Sequence, residues 1–223
     1  MTKQEVRQHI ATIGIIPVIR ASTAEKAFFA VDALRKGGIS VVEVTLTVPG
    51  AERVIEALQK QFHSELLVGA GTVLNPESAK RCLEAGAQFI VAPGLNTSTI
   101  TFVNSQNVLM IAGGLTPTEI LAAWESGSDI VKVFPCNAVG GASYIKSLKG
   151  PFPQIPLIPT GGVNLQTAAD FLRAGCEALG VGSELVPASA LDSGKPEMIA
   201  SLARQFMQIV EEVRSPQAAA SIR

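Results

Sequence analysis

The sequence has few of the side chains from which metal and nucleic-acid sites are usually built. Only two histidines occur in its 223 residues, and neither His9 nor His63 lies near a cysteine or carboxylate at a metal-ligand spacing. We therefore expect no zinc or iron site. The 18 Lys and Arg residues nearly balance the 19 Asp and Glu residues, and no long basic run occurs. This balance argues against nucleic acid as the main partner.

Long apolar runs are also lacking. No apolar stretch reaches the ~18 residues of a membrane span, and the N-terminal stretch MTKQEVRQHIATIG lacks the apolar core of a signal peptide. The three cysteines, Cys82, Cys136 and Cys176, are odd in number and widely spaced, which fits reduced thiols better than a disulfide framework. We therefore expect a soluble, cytoplasmic protein that does not bind membranes.

Short apolar runs, in contrast, recur along the whole chain. Eight occur in order: IIPVIR, VVEVTL, ELLVGAG, FIVAPG, VLMIAGG, IVKVFP, IPLIPTGG and ALGVGS. They are unbroken rather than alternating, which is typical of parallel strands covered on both faces. Segments with helix-capping signals lie between them, beginning at Asn75, Thr116 and Asn164. The pattern predicts a single α/β domain over residues 1–223, a (β/α)8 TIM barrel of parallel strands, with an open doubly wound sheet as the alternative. Residues 215–223, SPQAAASIR, are expected to form a flexible tail.

Lys132 interrupts one of these runs, in the stretch DIVKVFPCNAVGG. A lysine in a strand pattern usually points to solvent. In a barrel, however, the side chains of a strand face either the interior or the surrounding helices, so neither direction exposes Lys132. A desolvated amine near the C-terminal end of a barrel strand can lose its proton and attack a carbonyl to form a Schiff base. The alternative is a buried ion pair with a purely structural role.

Glu43, in GISVVEVTLTVPG, is the candidate partner of this lysine. By the alternation of a strand, Val41 and Thr45 share its direction, so Glu43 would enter the barrel at a depth similar to that of Lys132. Its carboxylate could move protons during imine formation and during the making or breaking of a carbon–carbon bond. A salt bridge without a catalytic role needs the same proximity and remains the alternative.

Glycine-rich strand ends supply a second candidate element. Thr160-Gly161-Gly162 follows the seventh run and Gly180-Val181-Gly182-Ser183 ends the eighth, where barrels often bind phosphate through backbone N–H groups. Each glycine pair alone is also what an ordinary turn requires. Arg20 ends the first run and could hold a carboxylate or phosphate, or pair with a surface acid. Gly71-Thr72 could bind a carboxylate or cap a helix, and Pro93-Gly94 is typical of a turn.

Taken in order, these motifs resemble one known family. Glu43 in VEVTLT, then GAGTVL, FIVAPG, Lys132 in KVFP, PTGG and GVGS resemble the KDPG/KHG aldolases. These are class I aldolases of 2-keto-3-deoxy-6-phosphogluconate and 4-hydroxy-2-oxoglutarate. The resemblance spans about residues 5 to 213, and the ordered set is more specific than any single motif.

The resemblance implies a homotrimeric TIM barrel, without metal or other cofactor, that splits a 2-keto-4-hydroxy acid into pyruvate and an aldehyde. The aldehyde would be glyceraldehyde 3-phosphate or glyoxylate for the two substrates named above. Lys132 would form the Schiff base, and Glu43 would be the general acid/base. Phe134 and Pro93 match positions that shape the pocket. The positions that match substrate contacts are Arg20, Thr72, Thr160, Gly161, Gly162, Gly182 and Ser183.

One position departs from the pattern of the family. Many members carry an arginine two residues after the Thr of the EVT strand, where this chain has Thr47. A hydroxyl cannot replace a bidentate cation, so carboxylate binding must rest on Thr72, backbone N–H groups or Arg20. The galactonate-derived epimer or an unphosphorylated keto acid is therefore an alternative substrate. A sugar-phosphate epimerase or isomerase and a non-catalytic binding protein are the rival functions, and the pairing of Lys132 with Glu43 disfavours both.

Overall fold

The protein is described here from a computed structural model of residues 1–215. Residues 216–223, nearly all of the tail expected from the sequence, lie outside the described residues. Eight parallel strands form the centre of the described part. They are β1 Ile15–Ile19, β2 Val41–Thr45, β3 Leu67–Gly71, β4 Phe89–Val91, β5 Leu109–Gly114, β6 Ile130–Val133, β7 Leu157–Pro159 and β8 Leu179–Val181.

The strands close into a barrel. Each strand from β1 to β6 pairs with the next one in the chain, and β1 also pairs with β8. A single bridge between Thr160, which directly follows β7, and Gly180 of β8 closes the ring. This sequential order confirms the predicted (β/α)8 barrel. The open doubly wound alternative is wrong, because such a sheet has two edges and its strand order reverses at a switch point.

Helices lie between the strands and cover the outside of the barrel. Within residues 1–215 they are α1 Lys3–Ile13, α2 Ala24–Lys36, α3 Ala51–Phe62, α4 Pro76–Glu84, α5 Thr97–Ser105, α6 Pro117–Glu125, α7 Ala142–Lys149, α8 Ala168–Arg173, α9 Ala188–Ser193 and α10 Pro196–Arg214. Short 3-10 turns span His63–Glu65 and Cys136–Val139. Among the helices of residues 1–215, none is both long and apolar enough to cross a membrane.

The capping signals in the sequence mark two helix starts correctly and one too early. Asn75 accepts a hydrogen bond from the Ser78 N–H, and Thr116 forms a capping box with Glu119. Helix α8, however, begins at Ala168 rather than directly after Asn164, because the Asn164 side chain accepts the N–H groups of residues 166 and 167 and so forms a turn of its own.

Strand register places the two predicted catalytic side chains inside the barrel. Glu43 is in register with Val18 of β1 and Gly69 of β3, and Lys132 is in register with Gly113 of β5 and Ile158 of β7. Both residues are buried, at 2% and 5% relative exposure. A solvent-facing Lys132 is therefore wrong, since a strand of a closed barrel has no solvent face.

Candidate active site

A buried amine and a buried carboxylate meet in the barrel interior. The Nζ atom of Lys132 lies 3.5 Å from Oε1 of Glu43, and the two side chains are 6% and 3% exposed. Among the described residues, Glu43 Oε1 has no hydrogen-bond partner. The pair is therefore in ionic contact without the additional hydrogen bonds that usually accompany a structural buried ion pair.

Two glycines leave space around the buried pair. Gly71 is on the strand next to that of Glu43, and Gly113 is on the strand next to that of Lys132. A Cβ atom on Gly71 would lie 2.0 Å from Oε1 of Glu43, so the carboxylate occupies the space that any larger residue would fill. A Cβ atom on Gly113, the register neighbour of Lys132, would lie 2.3 Å from the backbone of Pro93. The missing side chains admit the Glu43 carboxylate on one strand and the Pro93 turn on the other.

An aromatic ring lies beside the lysine. Phe134 follows Lys132 by two residues, and its ring centroid is 5.8 Å from the Lys132 Nζ atom, within range of a cation–π interaction. The ring is half-buried and also lines the main cavity at this end of the barrel. Phe134 therefore lies beside the buried amine and also lines the cavity.

The main cavity lies at the C-terminal ends of the strands, next to β7 and β8. Its volume is about 520 Å³, within the range of small-molecule sites. Seven of the residues predicted from the sequence line it: Arg20, Phe134, Thr160, Gly161, Gly162, Gly182 and Ser183. Val18, the register neighbour of Glu43, lines it as well and so connects the cavity to the layer of the buried pair.

Thr160 offers this cavity an unused hydroxyl. The residue is 7% exposed, and its Oγ1 atom has no hydrogen-bond partner within the described chain. Gly180 on the adjoining strand makes room for it, since a Cβ atom there would lie 2.1 Å from Thr160 Oγ1. A buried hydroxyl without a partner costs free energy unless a ligand or water satisfies it, which makes Thr160 a candidate ligand contact.

The glycine turn after β7 is held in place by side chains. Gly161 and Gly162 have φ angles of 94° and 76°, in the region that favours glycine. The Thr167 hydroxyl donates to the Gly162 carbonyl at 2.8 Å and accepts the Asn164 N–H at 3.0 Å. None of these bonds uses the Gly162 N–H, so they fix the turn without occupying that donor.

Two predicted contact residues lie apart from this cavity. Thr72 directly follows β3 and has a φ of 60°, a strained conformation for a β-branched residue, but it does not line the main cavity. Pro93 lines a smaller cavity of about 290 Å³, formed with apolar neighbours such as Leu74 and Leu95. The structure therefore places most of the predicted set around one cavity and leaves these two beside it.

Thr47 does not replace the cation that is missing at its position. Its hydroxyl is 2.6 Å from the Thr45 hydroxyl, which in turn donates to the Ile19 carbonyl at 2.9 Å. Thr47 is exposed at the rim and bonded to its own strand. Among the residues that line the main cavity, Arg20 is the cation available to a substrate anion.

The cysteine thiols are poor nucleophiles near neutral pH. All three are buried and unpaired, and burial raises the pKa of the Cys136 thiol, close to the end of β6, to about 11. This thiol is therefore protonated at neutral pH. Within residues 1–215, His, Cys, Asp and Glu side chains do not gather in any group of three or more that could hold a metal ion.

Sequence reasoning missed two polar residues that line the cavity. Asn164 was identified as a helix cap and Glu184 was not identified at all, yet both line the cavity. Gly71 and Gly113 were also missed as residues that make space, because the atoms they avoid belong to other segments, the β2 strand and the Pro93–Gly94 turn. A search for polar residues directly after each strand would have found Glu184, which follows Ser183.

Comparison with known proteins agrees with this geometry. The family model for KDPG and KHG aldolase matches residues 6–202. The chain is 37% identical over 202 residues to the KHG/KDPG aldolase of Escherichia coli (strain K12), covering 90% of this chain and 94% of that protein. It is 31% identical over 200 residues to the 2-dehydro-3-deoxy-6-phosphogalactonate aldolase of the same organism, covering 89% and 97%. A crystal structure of KDPG aldolase from Legionella pneumophila, with pyruvate captured at low pH as a covalent carbinolamine intermediate, is 32% identical, with a TM-score of 0.84, covering 90% of this chain and 97% of that one. The barrel, its lysine–glutamate pair and these similarities lead to one conclusion: the chain belongs to the KDPG and KHG aldolase family.

Proposed function

We propose that the protein is a carbon–carbon lyase, a class I aldolase that acts on 2-keto-4-hydroxy acids. Its substrates would be 2-keto-3-deoxy-6-phosphogluconate, cleaved to pyruvate and glyceraldehyde 3-phosphate, and/or 4-hydroxy-2-oxoglutarate, cleaved to pyruvate and glyoxylate. The observation that carries the proposal is the 3.5 Å contact between the buried Lys132 and Glu43, next to a cavity of about 520 Å³.

In the proposed reaction, Lys132 is the nucleophile and the electron sink. Its unprotonated amine attacks C2 of the keto acid to give a carbinolamine. Glu43 protonates the carbinolamine hydroxyl, which leaves as water and gives an iminium ion. Glu43 takes the proton of the 4-hydroxyl, the C3–C4 bond breaks, and the electron pair of that bond neutralises the iminium nitrogen to give an enamine and the aldehyde. Glu43 returns the proton to C3, and water hydrolyses the pyruvate iminium to release Lys132.

A catalytic role explains the environment of Glu43 better than a structural ion pair does. A buried ion pair is stable only when further hydrogen bonds satisfy its remaining lone pairs. Glu43 Oε1 has no such bond among the described residues, which suits an atom that must accept a substrate proton. Phe134, 5.8 Å from the amine, helps to exclude water from the pair.

The cavity residues would bind the two ends of the substrate. The phosphate would contact Arg20, Ser183 and the backbone N–H groups of the glycine turns at Gly161, Gly162 and Gly182. Thr160 would donate its free hydroxyl to the substrate. Thr72, at the end of the β3 segment, and backbone N–H groups would bind the carboxylate, and Pro93 would limit the pocket through its turn against Gly113.

A second substrate is supported by a specific observation. The similarity to a phosphogalactonate aldolase favours 2-keto-3-deoxy-6-phosphogalactonate, the C4 epimer, as the alternative. The epimers differ only in which side of C4 carries the hydroxyl that Glu43 must reach. A sugar-phosphate isomerase or epimerase remains the less favoured alternative, because its chemistry does not need a buried lysine next to a carboxylate.

Pyruvate release from single substrates tests the proposal. The protein is incubated separately with the gluconate-derived acid, its galactonate epimer and 4-hydroxy-2-oxoglutarate, and pyruvate is measured with lactate dehydrogenase. We expect release from the first or third substrate, and the activity should survive a chelator. Release from none of them, or loss of all activity with the chelator, would contradict the proposed reaction.

We also infer from the family resemblance that the protein is a cytoplasmic homotrimer. Sedimentation equilibrium should then give three times the mass of one chain, independent of dilution over the assay range. A single-chain mass with full activity would show that the trimer is not needed.

A further inference from the structure

The lining of the main cavity contains one acidic and one basic side chain. Of the residues that line it, Arg20 and Glu184 carry the opposite charges, and both are exposed. Within residues 1–215, neither side chain takes part in a salt bridge or a side-chain hydrogen bond. Glu184 directly follows Ser183, one of the residues expected to contact the phosphate.

A carboxylate at this place acts against a phosphate. A phosphate monoester carries up to two negative charges near neutral pH, and the charge of Glu184 opposes it at any rotamer that reaches the cavity. The same carboxylate does not repel a neutral tail, and its oxygens can accept hydrogen bonds from tail hydroxyls. The rest of the lining adds neutral donors and acceptors, namely the free hydroxyl of Thr160, the Ser183 hydroxyl and the Asn164 amide.

We propose that Glu184 is a specificity-determining residue that weakens the preference for a phosphorylated substrate over a neutral, hydroxylated one. The proposal rests on the aldolase function proposed above, and it adds to that function a class of substrate: 2-keto-4-hydroxy acids whose tail ends in an alcohol. Arg20 favours the phosphate and Glu184 opposes it, so the ratio of kcat/KM for the phosphorylated substrate to kcat/KM for the unphosphorylated substrate depends on both charges. Removing the acid alone shifts that ratio towards the phosphate ester.

The test compares two substrates that differ only in the phosphoryl group. They are 2-keto-3-deoxy-6-phosphogluconate and 2-keto-3-deoxygluconate, cleaved by the wild type, by Glu184→Gln and by the matched control Glu125→Gln. Glu125 is an exposed acid in the last turn of α6, at the opposite end of the barrel, so its substitution removes the same charge far from the cavity. Glutamine retains the shape and the acceptor oxygen of glutamate.

We expect Glu184→Gln to raise the ratio of kcat/KM for the phosphorylated substrate to kcat/KM for the unphosphorylated substrate by roughly 3- to 10-fold at low ionic strength. The effect should shrink strongly at about 0.5 M salt, because the Debye length falls to a few ångströms. Glu125→Gln should match the wild type on both substrates. An unchanged ratio in Glu184→Gln, an equal change on both substrates, or a change that salt does not affect would overturn the proposal.

A binding measurement separates this proposal from the aldolase function itself. Inorganic phosphate should bind Glu184→Gln roughly 3- to 10-fold more tightly than it binds the wild type at low salt, whether or not the protein cleaves a keto acid. If no substrate yields pyruvate but phosphate binding shifts in this way, the aldolase reaction is refuted and the charge effect of Glu184 remains. If cleavage is observed but phosphate binding does not shift, only the role of Glu184 is refuted.

Discussion

Replacing Gly71 with alanine should disable the reaction centre while the barrel stays folded. The added Cβ atom would lie 2.0 Å from Glu43 Oε1 and 2.5 Å from its Cγ and Cδ atoms, whereas ordinary contacts begin at 3.4 Å. The carboxylate must therefore move by about 1 Å or more, away from its 3.5 Å contact with Lys132. A misplacement of about 1 Å can reduce a rate by roughly 10²-fold.

Gly69→Ala is the matched control for this prediction. Gly69 is two residues earlier on the same strand and faces the same side, but its added Cβ atom would meet the Phe89 ring at 2.3 Å instead of Glu43. Both variants overpack the barrel interior, so each should lose about 1–3 kcal/mol of unfolding free energy. Only Gly71→Ala should lose activity beyond a few-fold.

Two measurements decide between the variants. Urea denaturation gives the free energy of unfolding, and pyruvate release gives kcat at a temperature at which both proteins are fully folded. If Gly71→Ala retains nearly full kcat, or if both variants lose kcat equally, the position of Glu43 does not limit the reaction, and the acid/base role proposed for it is wrong.

Three further predictions follow from the cavity and the core. Arg20→Ala or Gly162→Ala should raise KM for the phosphorylated substrate and spare 4-hydroxy-2-oxoglutarate, which has no phosphate. If steady-state assays show an equal rise in KM for both substrates, these residues do not bind the phosphate. Thr167→Val removes the 2.8 Å bond to the Gly162 carbonyl, so KM for the phosphorylated substrate should rise roughly 3- to 10-fold, while Thr167→Ser should restore it. A serine variant as impaired as the valine variant would contradict this positioning role. Burial raises the pKa of Cys82 from 9.0 to about 12, so the native state keeps a proton that the unfolded chain releases, and stability should fall as the pH rises from about 9 to about 12. In denaturant titrations at several pH values, the free energy of unfolding of Cys82→Ala should fall less steeply between about pH 9 and about pH 12 than that of the wild type. The same pH dependence in both proteins would show that the Cys82 thiol is not the cause.

The barrel and the burial of Lys132 and Glu43 could be predicted because they depend on local patterns. Unbroken apolar runs separated by capped helical segments specify alternating parallel strands and helices, and few architectures cover such strands on both faces. Once the barrel is assumed, a lysine or glutamate within a strand has no solvent-facing direction. The burial of Lys132 therefore followed from the barrel, although alternation left open whether it faces the interior or the helices, and the structure places it in the interior, 3.5 Å from Glu43.

The details around the pair could not be predicted, because they depend on contacts between distant segments. Gly71 makes space for Glu43 from the neighbouring strand, and that relation requires the strand register. The late start of α8 depends on hydrogen bonds between Asn164 and the residues after it, which compete with the helix. Glu184 resembles any surface acid in the sequence, and only the closure of β8 against β1 places it in the cavity.

The most direct test of the proposed mechanism is to trap the imine. Pyruvate and sodium borohydride should reduce the Schiff base to a stable secondary amine on one lysine, and peptide mapping should place it at Lys132, in the segment from Asp129 to Gly141. Lys132→Arg keeps the positive charge but cannot form the imine, so this variant should be folded, inactive and unmodified. Modification of Lys146 or Lys149 on α7 in place of Lys132, or no modification in an active enzyme, would contradict the account.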